Sequence, residues 1–143
     1  MGREKTLLER IAACGPRADA QLRGASAVED IRALEESVRQ HLVRLLNSRH
    51  GMSEAMQDYG LPALADMTVG TGDHVRLIQE AIRVAVEKYE PRLRRVRVLR
   101  NPDEEGPQKL VFRVEGELQT RSERYLVSYQ AAVAGNGRFD VQE

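Results

Sequence analysis

The sequence predicts an α+β fold in which N-terminal helices pack on one face of a three- to four-stranded antiparallel sheet. Three observations predict it. Apolar residues recur at helical spacing in two stretches ahead of Pro91. Beyond Pro91 the apolar period falls from about 3.6 to about 2, the change from helix to half-buried strand. Late in the chain Gly135-Asn136-Gly137 separates two alternating runs and reads as a hairpin turn. Strands with one apolar and one polar face need a cover, and the preceding helices supply it.

Residues 3–13 read as a short amphipathic helix with Leu7, Leu8 and Ile11 on one side. A helix this short is marginal in water and needs a surface to lie on. Residues 14–27 are rich in Gly, Ala, Pro and Ser, show no period, and read as a flexible linker. The first helix is then a tethered docking element, for its own domain or for a partner. A single α+β domain is expected over 28–143. It opens with a helix over 28–47, where Ile31, Leu34, Val38, Leu42 and Leu45 share a face and Gly51 lies beyond as a stop. Residues 52–72 read as loop, with a turn of helix around 62–66. In Asp58-Tyr59-Gly60-Leu61-Pro62 each residue has a structural use: Asp58 to cap, Gly60 for positive φ, Pro62 to begin a helical turn. Asp73 is the expected N-cap of a helix to Tyr89 whose apolar face is Val75, Ile78, Ile82, Val86 and Tyr89. After Pro91, Val96 and Val98 alternate with Arg95 and Arg97. Leu110, Phe112, Val114 and Leu118 then alternate with Val111, Arg113, Glu115 and Glu117, and Tyr125, Val127, Tyr129, Ala131 and Val133 follow suit. Phe139 and Val141 make a last short strand.

Bulk composition narrows the function. The 143 residues fit one domain, and 41% hydrophobic with 31% charged residues is a globular composition. Lys and Arg total 22, as do Asp and Glu. With no net charge, nucleic acid is not an expected partner, and any electrostatic partner is met by a local patch. The lone Cys14 excludes an internal disulfide and suits a reducing compartment. No stretch approaches ~18 apolar residues and the start lacks a signal-peptide core, so neither membrane insertion nor export is expected.

No motif selects an enzyme. His41, His50 and His74 have no metal-ligand spacing with each other or with Cys14, so no metal or cofactor is expected. There is no P-loop and no Gly-x-Ser-x-Gly. A glycosidase needs only two carboxylates about 5 to 10 Å apart. Glu35, Glu36, Asp58 and Glu90 could be proposed, but nothing in the sequence picks a pair, and no catalytic residue is assigned.

Glu90-Pro91-Arg92 breaks a local rule. A carboxylate at the end of a helix meets the negative end of the macrodipole, which favours Lys or Arg there. Pro91 forbids more helix and fixes a corner. Glu90 and Arg92 are expected to make charge-assisted contacts with a partner protein, or, more simply, a local surface ion pair. Alternation puts Arg95 and Arg97 on the exposed face of the first strand, a docking face for an acidic protein surface or a merely solvated one.

Three segments carry a family resemblance: Leu42-Val43-Arg44-Leu45-Leu46-Asn47-Ser48-Arg49, Asp58-Tyr59-Gly60-Leu61-Pro62 and Tyr89-Glu90-Pro91-Arg92-Leu93, in that order. Together they resemble the TssE family, the small baseplate subunits of bacterial type VI secretion systems, within the lysozyme-like gene 25 family of phage-tail baseplate wedge proteins. Leu7-Leu8-Glu9-Arg10-Ile11 resembles the family's leading motif. Ser48 stands where the family often has Thr, and Tyr89 where it often has Phe. The resemblance implies a non-enzymatic wedge component that helps join baseplate to contractile sheath, with Glu90, Pro91 and Arg92 as an interaction element. It implies TssF, TssG and TssK, the VgrG spike hub and the sheath proteins TssB and TssC as partners. The place of work would be the cytoplasmic face of the inner membrane. Two other readings stay open on the sequence: a peptidoglycan-cleaving lysozyme-like enzyme, and a regulatory adaptor on the same fold.

Overall fold

Proline at the first position of a helix loses nothing, because the N–H it lacks would have no partner there. Helix α1, Pro16–Asn47, starts on such a residue. The computed structural model describes residues 16–52, 54–62, 72–106, 108–121 and 123–143. The helix expected at 3–13 lies outside them, as does most of the turn expected at 62–66. The linker reading is corrected from Pro16 on: residues 16–27 are helical. Their alanines are strong helix formers, and a single Gly24 costs only about 1 kcal/mol against alanine. The chain divides into two compact units, one ending at Leu34 and one running Glu35–Glu143, with α1 continuing through the division.

In the second unit α1 is followed by α2 (Gly72–Tyr89), β1 (Leu93–Arg100), a 3-10 turn (Pro102–Glu104), β2 (Lys109–Gln119), β3 (Arg124–Ala134) and β4 (Phe139–Gln142). The strands form one antiparallel sheet in sequential order, so the expected α+β class holds with four strands. Two helix-end expectations change. Helix α1 stops without glycine: Ser48 Oγ donates to the Arg44 carbonyl at 2.7 Å and Asn47 Nδ2 to that of Val43 at 2.8 Å. Gly51, at φ +82°, serves the following turn. Asp73 lies within the first turn of α2 rather than capping it, where its charge still suits the helix dipole.

The core lies between the helices and one sheet face. Val38, Leu42 and Leu45 of α1 and Ile78, Ile82 and Val86 of α2 are buried with Phe112, Val114, Leu118, Tyr129, Ala131 and Val141 of the sheet. The other face is not purely polar: Val111 is 1% exposed there. The 3-10 turn lies beside β2, tethered to β3 by Gln130 Nε2 donating to Glu104 Oε1 at 3.1 Å.

Strand β1 departs from strict alternation. Leu93, Val96 and Val98 are all buried, a spacing of three and then two. An alternating strand cannot bury residues three apart on one face. The register with β2 shifts between Arg94 and Arg97, and Arg95 takes the left-handed conformation at φ +51°. This bulge puts Arg94 and Arg95 both on the solvent side.

Candidate functional site

The Glu-Pro-Arg corner is built at the end of α2. The Glu90 N–H still donates to the Val86 carbonyl at 2.9 Å, completing the last helical bond. The chain then reverses in a turn closed by Leu93 N–H on the Glu90 carbonyl at 3.2 Å. Pro91 occupies the second position of that turn, where its fixed φ is favoured.

The turn folds the Arg92 guanidinium back on the Glu90 carboxylate. Arg92 Nε donates to Oε1 at 2.7 Å and Nη2 to Oε2 at 2.8 Å, a two-pronged pair, and the Arg92 backbone N–H adds a bond to Oε1 at 3.2 Å. His41 of α1 approaches from the other side, Nδ1 to Oε2 at 2.7 Å. The Tyr59 hydroxyl bonds His41 Nε2 at 3.3 Å, and Arg92 Nη1 donates to Ser37 Oγ at 2.9 Å. Tyr59 stacks edge-on against Tyr89, centroids 5.0 Å apart. One carboxylate thus joins α1, the loop carrying Tyr59, the end of α2 and the start of β1.

The geometry revises the role expected of Glu90. Its side chain is 0% exposed, so the carboxylate is not presented to a partner. Of the corner, Pro91 is exposed and the Arg92 side chain is 33% exposed. Burial alone would raise the Glu90 carboxyl, but the hydrogen bonds from Arg92 and then His41 outweigh it and hold the group below its ordinary range. The apparent violation at the helix end disappears, because Arg92 supplies the positive charge the dipole calls for.

A buried, ionised carboxylate locked to arginine is unsuited to general-acid work, which needs a raised pKa and access to substrate. Of the other carboxylates considered, Glu36 is paired with Arg39 and pulled down to about 2, chiefly by that hydrogen bond. Exposed Asp58 faces Lys88 at 3.4 Å. His50 bonds the Gly60 carbonyl at 3.0 Å, while His74 Nδ1 is buried without a partner among the described residues.

Of the other expected contact residues, Arg95 and Arg97 are exposed on β1, Arg95 reaching Glu117 at 3.2 Å. Leu7, Leu8 and Ile11 lie outside the described residues. Sequence reasoning missed Ser37, His41 and Tyr59 as members of the corner. His41 left a signal: it sits between Val38 and Leu42 on the helix, so a polar ring beside the buried stripe needs a partner.

Residues 32–123 match the family model for the baseplate wedge protein gp25, a stretch that includes the whole corner network. Two solved structures share the fold. One is a chain of the baseplate complex from the type VI secretion system, at TM-score 0.55 and 20% identity, covering 71% of this chain and 95% of that one. The other is a crystal structure of a candidate tail lysozyme from Geobacter sulfurreducens, at TM-score 0.54 and 20% identity, covering 68% and 88%. No curated protein matches the sequence.

Proposed function

Because the chain belongs to the baseplate wedge protein gp25 family, we propose that it is a structural subunit of a type VI secretion baseplate, the TssE component, acting without catalysis. The observation that carries the reading is the family match over residues 32–123, a stretch that contains every residue of the network around Glu90. In this reading Glu90 works from inside. It holds Arg92 in one orientation, so that Arg92 and the exposed Pro91 form a rigid contact joining wedge to sheath. Arg95 and Arg97 add a basic contact on the neighbouring strand, and residues 3–13, through Leu7, Leu8 and Ile11, dock as a separate amphipathic element. The partners proposed are TssF, TssG and TssK, the VgrG hub, and TssB and TssC of the sheath. No helix of the described residues is long and apolar enough to cross a membrane, and the proposed location is the cytoplasmic face of the inner membrane.

The test is co-purification with TssF and TssG, together with secretion by a strain whose own copy is deleted. The double variant Glu90→Met with Arg92→Ala, which strands no buried charge, is expected to abolish secretion and weaken co-purification while still unfolding cooperatively. Unchanged assembly and secretion in that variant would remove the corner from the interface. Catalysis is tested separately: purified protein incubated with cell wall is expected to release no sugar fragments, and release that depends on a single carboxylate would replace the structural reading with an enzymatic one.

A further inference from the structure

The outer face of the sheet carries a second charged feature near the β2–β3 hairpin, apart from the Glu90 network. The register places Arg94 opposite Glu117, and Glu117 opposite Leu126, in one row across three strands. Gln119 and Arg124 form the neighbouring row. With Arg95 these residues line a shallow cleft of about 470 Å³. Three guanidiniums there face one carboxylate, and Glu117 is already engaged by Arg95. Arg94 and Arg124 are exposed and make no ion pair among the described residues. In a chain of zero net charge this is a local positive excess.

Two further observations say what fits. Leu126 is 87% exposed, the most exposed large apolar side chain among the described residues. The bulge at Arg95 turns two consecutive arginines outward, at the cost of a left-handed backbone that an ordinary side chain rarely adopts. We infer that this cleft and Leu126 together dock an extended acidic segment of a partner protein, carboxylates on Arg94, Arg95 and Arg124 and an apolar side chain on Leu126. Guanidiniums pair carboxylates two-pronged, and an exposed leucine beside them adds nothing to phosphate binding. No aromatic ring lines the cleft for stacking bases. The inference rests on the assembly reading above and names the chemistry of one contact within it.

The test is a titration of the isotope-labelled full chain, followed by NMR, with a synthetic peptide of aspartates and glutamates flanking leucines. Tripolyphosphate and a short thymidine oligonucleotide serve as parallel arms. The peptide is expected to shift Arg94, Arg95, Glu117, Arg124 and Leu126 selectively, and more weakly as salt rises. Arg94→Glu with Arg124→Glu is expected to weaken it about tenfold, the effect of ~1.4 kcal/mol. Leu126→Ser is expected to weaken it about threefold without touching a charge. These are exposed positions, so unchanged unfolding midpoints establish that each variant is folded. No selective shifts at millimolar peptide would overturn the inference. So would equal binding of tripolyphosphate or oligonucleotide with no effect of Leu126→Ser, which marks an unspecific anion patch. Co-purification with TssF and TssG separates the two levels. A double-arginine variant that assembles like the natural chain refutes this contact, whereas a natural chain that does not assemble refutes the baseplate reading itself.

Discussion

Glu90 carries a negative charge in a site with no solvent contact, and that is tolerable only because every lone pair it offers is used. Removing one side of a buried ion pair costs far more than the pair's net worth, since the partner is left desolvated. Glu90→Gln keeps the size but aims an amide NH₂ at a guanidinium or imidazole donor. It is expected to lower unfolding free energy by about 2–4 kcal/mol, read from urea denaturation. Its pH dependence has a definite sign. The folded carboxyl titrates below the ordinary value of 4.5, so the unfolded chain binds more protons as pH falls past that value. The stabilisation from Glu90 is full above pH 4.5 and is lost as pH falls through the lower, folded-state pKa. The difference in stability between the natural chain and Glu90→Gln is therefore expected to shrink below pH 4.5, and a constant difference down to pH 3 would contradict the buried pair. The sequence marks Glu90, Pro91 and Arg92 as a rule-breaking corner, and within the chain the Glu90 carboxylate is engaged by Arg92 and His41. His41 and Tyr59 are distant in sequence, and spacing alone could not bring them to Glu90.

Among the elements, the loop carrying Tyr59 is held in place by one glycine. Leu61 N–H donates to the Ser48 carbonyl at 2.9 Å and His50 N–H to that of Leu61 at 3.1 Å, so the loop lies against the end of α1. Gly60 sits at φ +99°, and a Cβ there would overlap the Ser48 carbonyl. Gly60→Ala is expected to cost roughly 2–4 kcal/mol and to release Tyr59 from His41, measured by thermal unfolding and by Tyr59 ring resonances. The sequence reading assigned Gly60 to positive φ, which the structure bears out. Strand β1 shows the opposite case. Simple alternation pairs Val96 with Val98 but leaves Leu93 facing solvent, whereas Leu93, Val96 and Val98 all enter the core through the bulge at Arg95. Nothing in the local pattern marks the bulge; the pairing of β1 with β2 sets it. Arg95→Gly is expected to leave stability within about 1 kcal/mol, because relief of left-handed strain offsets the glycine's added chain entropy. Arg95→Val is expected to lose about 1–2 kcal/mol, because branching at Cβ worsens that conformation. Paired thermal melts distinguish them, and an equal loss in both would show that the side chain, not the backbone, matters.

Over the whole molecule, the sheet has two open edges that invite strand pairing with another chain. At β4 the structure caps them from α1: Asn47 exchanges hydrogen bonds with both the carbonyl and the N–H of Phe139 at 2.9 Å, and Arg39 Nη1 reaches the Val141 carbonyl at 3.0 Å. At β1, Gln79 of α2 donates to the Val98 carbonyl. The second unit therefore carries its own core and covers part of each sheet edge with its own helices. A chain starting at residue 14 is expected to keep its melting temperature but to bind the wedge proteins more weakly. A collapse of thermal stability on that deletion would show that residues 1–13 belong to the core.

The order of elements, the alternation along β2, β3 and β4 and the apolar faces of both helices followed from the sequence alone, because periodicity is a local property that burial imposes residue by residue. Local composition was misleading at 16–27, where Gly and Pro suggested a linker and the alanines with an N-terminal Pro16 made helix. The destination of the Glu90 charge, the inward turn of Leu93 and the meeting of Arg94, Arg124 and Leu126 were decided only by tertiary structure. Each depends on which elements lie side by side, and a buried charge finds its partners through space rather than along the chain.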